Sequence, residues 1–446
     1  RAHQHLRTEG PSVRTDIPEA SRVDTAVREA EAVLRTCVHC GFCNATCPTY
    51  LLTGNELEGP RGRIYLLKNL LEENIEASDA TAEHIDNCLG CLACETTCPS
   101  GVDYSRLLDH GRPLLERTYR RRPFDRLQRA VLTRLLPHAD RFRTAIRLGV
   151  LARPLTALLP NRLRRLARMA PTHMPARARL ATPGVFPAVG KQRRRVALLA
   201  GCAQSVLGAS INDAAIRMLT RRGAEVIVPE SVACCGALTF HMGERLHSRR
   251  HMEAAVDGWH ALLENGVDAV VLTTSGCATA VRDYGHIFAG TPRAAAATHV
   301  SERTRDVTEV LYELGLGDTV DLPRLRVAYH DACSMQHGLR LHDEPRQLLG
   351  DAGFEVLEVP ESHICCGSAG TYNILRPDMA EPLQKRKADH IESLRPDLVA
   401  AGNIGCIEQI SSAIASPVVH TIELLDWATG GPRPPALDSS RPKDIS

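Results

Sequence analysis

The chain has 446 residues, of which 43% are hydrophobic and 24% are charged, a composition typical of a globular protein of two or three domains. This composition excludes disordered and collagen-like classes, and the formal net charge is only +2. The unusual abundances are 16 cysteines and an excess of arginine over lysine. No apolar run approaches the ~20 residues of a membrane span, and the first residues lack the apolar core of a signal peptide. We therefore expect a cytoplasmic protein whose cysteines are metal ligands or redox thiols.

The first eight cysteines form two copies of one pattern, C-x2-C-x2-C-x3-C-P, which runs from Cys37 to Pro48 and again from Cys88 to Pro99. Two-residue gaps let the chain curl so that successive thiolates point at one cluster, and the proline turns the chain away. Zinc sites use two pairs of cysteines instead of triplets, so the pattern predicts two [4Fe-4S] clusters. In such paired runs the fourth cysteine of each run binds the other cluster. The predicted ligand sets are Cys37, Cys40, Cys43 and Cys98 for the first cluster, and Cys88, Cys91, Cys94 and Cys47 for the second.

The 40 residues between the two runs are too many for a plain loop. Residues 64–71 are rich in leucine and predict a helix. We interpret the basic segment before it, residues 59–63, as the start of that helix with a solvated charge pair, in preference to a substrate site. His39 and His84 are interpreted as residues without a role at the clusters.

A basic block follows, from Arg106 to Arg195. It contains 22 Arg and one Lys against four acidic residues, a net charge of +19, so that the rest of the chain carries −17. Leu127, Val131 and Leu135 recur at helical intervals between arginines, which predicts basic amphipathic helices. Such helices lie on an anionic lipid surface, or they form a linker that packs on the cysteine-rich region or on an acidic partner. Nucleic acid binding is not expected, because aromatic residues are only 4% and no recognition motif accompanies the charge.

The second eight cysteines form a different repeat, in which two adjacent cysteines are followed by glycine. The two copies are offset by 131 residues, and 32 positions separate the first cysteine from the pair in each. This regularity indicates an internal duplication. The candidate ligands are Cys202, Cys234, Cys235 and Cys277 in the first copy, and Cys333, Cys365, Cys366 and Cys406 in the second.

A short apolar segment precedes each cysteine group and predicts a buried strand, and helical stretches such as residues 211–222 and 252–264 separate these strands. Alternation of this kind predicts parallel sheets, whose strands all end at one edge, so each set of four cysteines should converge there as a cluster or redox site. Buried structural cysteines are the alternative. His330, Asp331 and His363 lie near these cysteines and are interpreted as surrounding or core residues. The predicted strands are 195–200, 224–229, 268–274, 325–330, 354–360 and 397–401.

The overall prediction is an α+β protein with a helical two-cluster ferredoxin domain, a basic helical linker and a duplicated α/β cysteine-rich domain. The predicted boundaries are an N-terminal tail 1–24, the ferredoxin-type domain 25–110, the linker 111–192, the first cysteine-rich domain 193–320, the second 321–428, and a C-terminal tail 429–446.

This arrangement resembles the iron-sulfur subunits that serve flavin dehydrogenases, and within that group it is most similar to the glycolate oxidase iron-sulfur subunit family. Heterodisulfide reductase subunits, which belong to the same group, end each repeat in C-x2-C. Here Thr274 and Asn403 stand at the earlier position, which leaves four cysteines in each repeat and weakens the expectation of disulfide-cleaving chemistry. The matching stretches, between about residues 25 and 428, are Cys37–Cys43, Gly59–Tyr65, Cys94–Val102, Cys234–Leu238, Cys365–Tyr372 and Ile422–Asp426.

The resemblance implies an electron-transfer subunit of a glycolate dehydrogenase, peripheral on the inner membrane. Flavin-bearing partner subunits, which alone hold FAD, would oxidise glycolate to glyoxylate, and this chain would pass the electrons towards a membrane quinone. One or two further iron-sulfur clusters would occupy the cysteine-rich domains. The sequence has no Gly-rich dinucleotide fingerprint, so the isolated chain is not expected to be catalytic. The alternatives are the same role for a lactate or glycerol-3-phosphate dehydrogenase, an autonomous thiol-disulfide reductase, and a redox sensor.

Overall fold

The computed structural model describes residues 13–73, 76–158, 164, 167 and 169–438. The first half of the predicted N-terminal tail, the last eight residues and part of the basic block lie outside the described residues. The chain divides into two compact units, residues 1–121 and 122–446. Within the described residues, no helix combines the length and the apolar character needed to span a bilayer.

The first unit is helical, and its apolar core contains Leu34, Leu67, Ile85 and Leu107, all fully buried. The helix predicted over 64–71 is present and begins earlier, at Pro60, since proline suits the first turn of a helix, where no N–H bond is lost. The helices are α1 Thr25–Thr36, α2 Pro48–Thr53, α3 Pro60–Leu71, α4 Asp79–Asp86, α5 Ala93–Thr97 and α6 Tyr104–Thr118, with 3-10 turns at Ser21–Val23, Phe42–Thr46 and Glu56–Glu58.

The second unit begins with the basic helices α7 Pro123–Leu135 and α8 Ala139–Ala152, followed by a 3-10 segment Arg153–Leu158. Leu132, Leu136 and Phe142 pack in one cluster with Val206 and Met242 of the first cysteine-rich repeat. These basic helices therefore pack on the cysteine-rich region through one face.

On α7, the face that the sequence predicts as apolar coincides only partly with the face that packs on the cysteine-rich repeat. Leu135 contacts the cluster, but Leu127 and Val131 are 61% and 49% exposed. The buried strip passes through Arg129, whose Nη1 donates to the Met242 carbonyl at 3.3 Å. The packing alternative therefore does not hold for Leu127 and Val131, because the aliphatic stem of an arginine packs as well as an apolar side chain.

The first cysteine-rich repeat contains a five-stranded sheet with the order β1-β3-β2-β4-β5. All neighbouring strands are parallel except β1, which runs antiparallel to β3. The strands are β1 Gly184–Phe186, β2 Arg194–Leu198, β3 Ala224–Val228, β4 Ala269–Leu272 and β5 Thr304–Asp306. The helices are α9 Gln204–Leu207, α10 Ala209–Arg221, α11 Ala237–His241, α12 Arg245–Glu264, α13 Ser275–Arg282, α14 Tyr284–Ile287, α15 Ala294–Arg303 and α16 Val307–Leu314.

The second repeat contains a wholly parallel four-stranded sheet with the order β7-β6-β8-β9. The strands are β6 Arg326–His330, β7 Glu355–Glu358, β8 Leu398–Ala401 and β9 Val418–His420. The helices are α17 Glu344–Asp351, α18 Tyr372–Leu375, α19 Pro377–Ser393, α20 Ile404–Ser411, α21 Thr421–Ala428 and α22 Pro435–Asp438, with a π-helical segment at Ser334–Leu339. All six predicted strands are present, and the α+β prediction is confirmed.

The two repeats share one apolar core and are joined by a buried carboxylate. Asp426, on α21 of the second repeat, accepts hydrogen bonds at 2.6 Å from Arg217 and Arg221 of α10 in the first. The Asp426 side chain is only 1% exposed, whereas the arginines are 29% and 26% exposed. The carboxylate is therefore held in place by two cations that keep part of their hydration.

Replacing Asp426 with Ala leaves two guanidinium groups beside an apolar interface. We expect a loss of about 3 kcal/mol and a fall of roughly 5–10 °C in the apparent melting temperature, measured by circular dichroism. Asp389→Ala is the matched control, because the exposed ion pair of Asp389 with Lys385 contributes little. Equal shifts for the two variants would contradict this account of the interface.

Candidate metal centres

Five cysteines from two distant loops line one open cavity in the first unit. Three of them, Cys37, Cys40 and Cys43, come from the loop after α1, whereas Cys94 lies in α5 and Cys98 follows that helix. The Cys43 thiol interacts with those of Cys37 and Cys98. The Val102 amide donates to the Cys98 sulfur at 3.4 Å. The structure thus brings together three cysteines of the first run and the last cysteine of the second.

The two ferredoxin loops have the same unusual backbone. His39 and Gly41 have φ values of 55° and 85°, and the equivalent residues of the second run, Gly90 and Leu92, both have 64°. Left-handed residues at these two positions curl each loop around its thiols. The curl therefore follows from the spacing of the run and occurs even where the residue is not glycine.

The other ferredoxin cysteines are grouped around a deeply buried thiol. Burial raises the pKa of Cys94, and the nearby thiols of Cys91, Cys88 and Cys47 raise it further. The Cys88 sulfur accepts from the Gly90 amide at 3.4 Å and lies 3.9 Å from the Tyr104 hydroxyl. The last cysteine of the first run therefore stands beside the first three cysteines of the second.

The donor set and its surroundings fit iron-sulfur clusters. Burial raises the pKa of Cys43 to about 11, so this thiol is protonated at neutral pH until a metal displaces the proton. Amide N–H groups that point at sulfur stabilise thiolate ligands and cluster sulfides. When bound, such clusters supply reversible one-electron transfer.

A buried arginine lies between the cysteines of the second group. Arg63 is 1% exposed, and its Nη1 lies 3.9 Å from the Cys47 sulfur. Its Nη2 donates to a Glu58 carboxylate oxygen at 2.7 Å, and its Nε donates to the His84 carbonyl at 2.6 Å. His84 Nδ1 is 2.6 Å from the other Glu58 oxygen, so His84 belongs to the network that holds Arg63.

The prediction of a solvated charge pair at the start of α3 was wrong for Arg63 and correct for Arg61. Arg61 pairs with Glu56 at 2.6 Å, and these side chains are 35% and 42% exposed. Two residues advance a helix by about 200°, so Arg61 and Arg63 face opposite sides. Arg61 lines the cavity of the first cysteine group, and Arg63 points into the protein beside the second.

The cysteines of the second unit lie at the carboxyl edges of the two parallel sheets. In the first repeat, the sulfurs of Cys202 and Cys234 are 3.6 Å apart, and Cys235 interacts with both Cys234 and Cys277. In the second repeat, the sulfurs of Cys333 and Cys365 are 3.8 Å apart, and Cys366 interacts with Cys365 and Cys406. Each repeat therefore gathers its four thiols at one place.

The glycine after each cysteine pair is required by its conformation and by close packing. Gly236 has φ 74° and Gly367 has φ 86°. A Cβ on Gly367 would lie 2.6 Å from the Ala380 carbonyl oxygen, and one on Gly236 would lie 2.8 Å from Met252. The turn that aims both adjacent thiols at the site thus excludes any side chain at the third position.

Thr274 and Asn403, which replace the fifth cysteine of the heterodisulfide reductase pattern, bind protein groups. Asn403 Oδ1 accepts from the amides of Gly405 and Cys406 and caps α20. Thr274 donates to the Gln204 side chain. These contacts position the loop of the last cysteine in each repeat without adding a thiol.

His330 lies directly at the second site. It ends β6, is 1% exposed, and burial lowers its pKa to about 3, so the imidazole is neutral. One ring nitrogen lies within 4.8 Å of the sulfurs of Cys366 and Cys406. Asp331 instead accepts from Arg346 at 2.6 Å, and His363 is only half-buried.

Comparison with known proteins agrees with this division of the chain. The model of a 4Fe-4S dicluster domain matches residues 33–102, and that of a cysteine-rich domain matches residues 196–282 and 327–411. The glycolate oxidase iron-sulfur subunit of Escherichia coli K12 is 39% identical over 93% of this chain and 99% of its own length. The chain belongs to the glycolate oxidase iron-sulfur subunit family.

Two further similar proteins are a second glycolate oxidase iron-sulfur subunit and a lactate utilization protein. A protein of Bacillus subtilis 168 described as a probable glycolate oxidase iron-sulfur subunit is 31% identical over 90% of this chain and 96% of its own length. Lactate utilization protein A of Geobacillus kaustophilus is 29% identical over 52% of this chain and 98% of its own length. The matched domains support iron-sulfur clusters in this chain, which combines a 4Fe-4S dicluster domain with a duplicated cysteine-rich domain.

Because Arg63 is buried and Arg61 is partly exposed, we expect the two arginines to affect the reduction potentials of the clusters differently. Arg63→Gln removes a buried positive charge beside the second cysteine group and should lower the reduction potential of that centre by on the order of 50–100 mV. Arg61→Gln should shift the other centre by less, because water screens an exposed charge.

Redox titration followed by EPR measures both potentials in each variant. A larger shift in Arg61→Gln than in Arg63→Gln, or unchanged potentials in Arg63→Gln, would show that burial of the charge does not set its effect on the clusters.

Proposed function

We propose that this chain is the iron-sulfur electron-transfer subunit of a glycolate dehydrogenase. The observation that carries the proposal is the crossed grouping of the ferredoxin cysteines in a chain that matches glycolate oxidase iron-sulfur subunits over nearly its whole length. The proposed ligand sets are Cys37, Cys40, Cys43 and Cys98 for one [4Fe-4S] cluster and Cys88, Cys91, Cys94 and Cys47 for the other.

The proposed reaction is divided between subunits. Oxidation of glycolate to glyoxylate releases two electrons and two protons, and a flavin in partner subunits accepts the electron pair. This chain then accepts the electrons one at a time and delivers them to a membrane quinone, which takes up two electrons and two protons. The helices of the first unit hold the two cysteine groups, and Arg63 places a positive charge beside one of them.

The cysteines of the second unit are proposed as ligands of further metal centres. They do not favour the autonomous thiol-disulfide reductase alternative, because a reactive thiol needs a lowered pKa. The contact with the Cys365 thiol lowers the pKa of Cys366, but the contact with Cys406 and burial outweigh it and raise that pKa well above its ordinary value. Lactate remains a second candidate substrate for the flavin partner subunits, because the lactate utilization relatives match about half of this chain.

Removing one buried ligand tests the electron-transfer role. In the complex with its flavin subunits, Cys94→Ser should leave reduction of the flavin by glycolate intact in a single turnover. It should slow reduction of a quinone analogue by at least about 100-fold, because one centre of the route is lost. Stopped-flow absorbance measures both steps.

His39→Asn is the matched control, since asparagine tolerates the left-handed conformation of the loop and no ligand is lost. The proposal is wrong if the isolated chain oxidises glycolate, or if Cys94→Ser reduces quinone at the normal rate. Faster flavin reduction by lactate than by glycolate would assign the complex to lactate.

We also propose that the exposed face of α7 holds the chain on an anionic membrane surface. Phe124, Leu127 and Val131 are 42%, 61% and 49% exposed and follow one another at intervals of three and four residues. Arg126 and Arg134 lie beside them, and each arginine close to the surface contributes about 1 kcal/mol. An apolar strip between arginines is typical of helices that lie in the membrane interface.

The double substitution Leu127→Asp with Val131→Asp should reduce co-flotation with phosphatidylserine vesicles by about tenfold or more at low salt, because it removes apolar contact and adds negative charge. Leu246→Asp is the control, since Leu246 is 81% exposed and lies on another helix, α12. Binding of the wild type should weaken at high salt. Wild-type chain that does not float with these vesicles at low salt would contradict the proposal.

A further inference from the structure

The second cysteine-rich repeat contains a buried imidazole that the first repeat lacks. His330 stands three residues before Cys333, and the equivalent residue before Cys202 is Leu199. His330 is 1% exposed, and neither of its ring nitrogens has a hydrogen-bond partner among the described residues. A buried polar group without a partner is costly, so its persistence in this position indicates a ligand that bonds to it.

The distances at this site are short enough for the donor atoms to bind a single ion after small movements. A ring nitrogen of His330 and the sulfurs of Cys366 and Cys406 all lie within 4.8 Å of one another. The sulfurs of Cys333 and Cys365 are 3.8 Å apart. Metal–ligand bonds of about 2.0–2.3 Å in a tetrahedron separate ligand atoms by about 3.4–3.8 Å. A cube carries one thiolate on each of its iron atoms, and those thiolates stand farther apart.

The charge around the site is balanced for a divalent ion with three thiolates. Three thiolates and a neutral imidazole on such an ion leave one negative charge. Lys387 is buried beside the site, where its ammonium group interacts electrostatically with Cys365 and Cys366 and donates to the Glu361 carbonyl at 2.8 Å. A buried ammonium group in this position offsets that charge.

We propose that His330, Cys366 and Cys406 bind a single Zn²⁺ ion in the second repeat, with the fourth ligand supplied by the Cys333–Cys365 pair. Thiolate and imidazole donors in tetrahedral spacing suit Zn²⁺, whereas Mg²⁺ and Ca²⁺ take oxygen ligands. The first repeat, with Leu199 in place of the imidazole, offers thiols alone. This site is independent of the proposed electron transfer, because it requires neither of the ferredoxin cysteine groups.

The test measures metal content and affinity in the full chain purified anaerobically. Elemental analysis of the wild type should find about one Zn²⁺ per chain in addition to the iron, and Co²⁺ in its place should give the thiolate-to-metal charge-transfer bands of a tetrahedral site. His330→Leu, which reproduces the residue of the first repeat, should lose at least about tenfold in Zn²⁺ affinity against a chelator. His363→Ala should keep the wild-type affinity, because that half-buried histidine stands outside the proposed ligands.

A second variant separates ligation from packing. His330→Cys restores a ligand of different shape, so it should keep Zn²⁺ and gain a sulfur in the X-ray absorption spectrum, even if His330→Leu fails to fold. Three outcomes would overturn the proposal: wild-type chain without Zn²⁺ or Co²⁺ binding, unchanged affinity in His330→Leu, and iron with equal sulfide at this site. The iron content of the first unit and the circular dichroism of each variant serve as folding controls, and loss of those clusters would count against the electron-transfer proposal alone.

Discussion

Thiol groups from segments far apart in the chain can bind one metal centre together only if the fold holds them close to one another in a site with little water. In the first unit, helices hold two curled loops against each other, so that Cys98 closes the cavity formed by the loop of Cys37. In the second unit, each repeat has its own sheet, and its parallel strands place its four cysteines at the carboxyl edge of that sheet. Burial raises the pKa of Cys43 and of Cys94, so a metal that binds them has to displace their protons, which couples metal binding to the final packing of the chain.

The same constraint explains where charge is placed. A cluster or metal ion with four thiolates carries net negative charge into a region of low polarity, and a nearby cation lowers that cost. Arg63 stands beside Cys47, and Lys387 stands beside the Cys365–Cys366 pair. Both cations are fully buried and are held by acceptors from the protein, Glu58 for Arg63 and the Glu361 carbonyl for Lys387. Such placement fixes the local electrostatic potential independently of salt.

Much of this could be predicted from the sequence, because cysteine spacing and strand hydrophobicity are local signals. The six predicted strands and the helix after Pro60 follow from residues adjacent in the chain. Strands β1, β5 and β9 were missed because each has only three residues, which is too short for a periodic pattern.

Burial of a single polar side chain is a tertiary property. Nothing in the segment Gly59–Arg63 distinguishes the buried arginine from the solvated one until the start of the helix fixes their directions. The unpartnered nitrogens of His330 are equally invisible in the sequence, although comparison with Leu199 of the first repeat offers a hint.

Transfer of electrons through this chain from a flavin partner to a quinone, as proposed above, can be followed by EPR of the intact complex during anaerobic addition of glycolate. Reduced [4Fe-4S] signals, approaching about two spins per chain, should form after glycolate is added and disappear when a quinone analogue is added. Quinone reduction that proceeds at its full rate while these signals stay absent would mean that the electrons do not pass through these clusters.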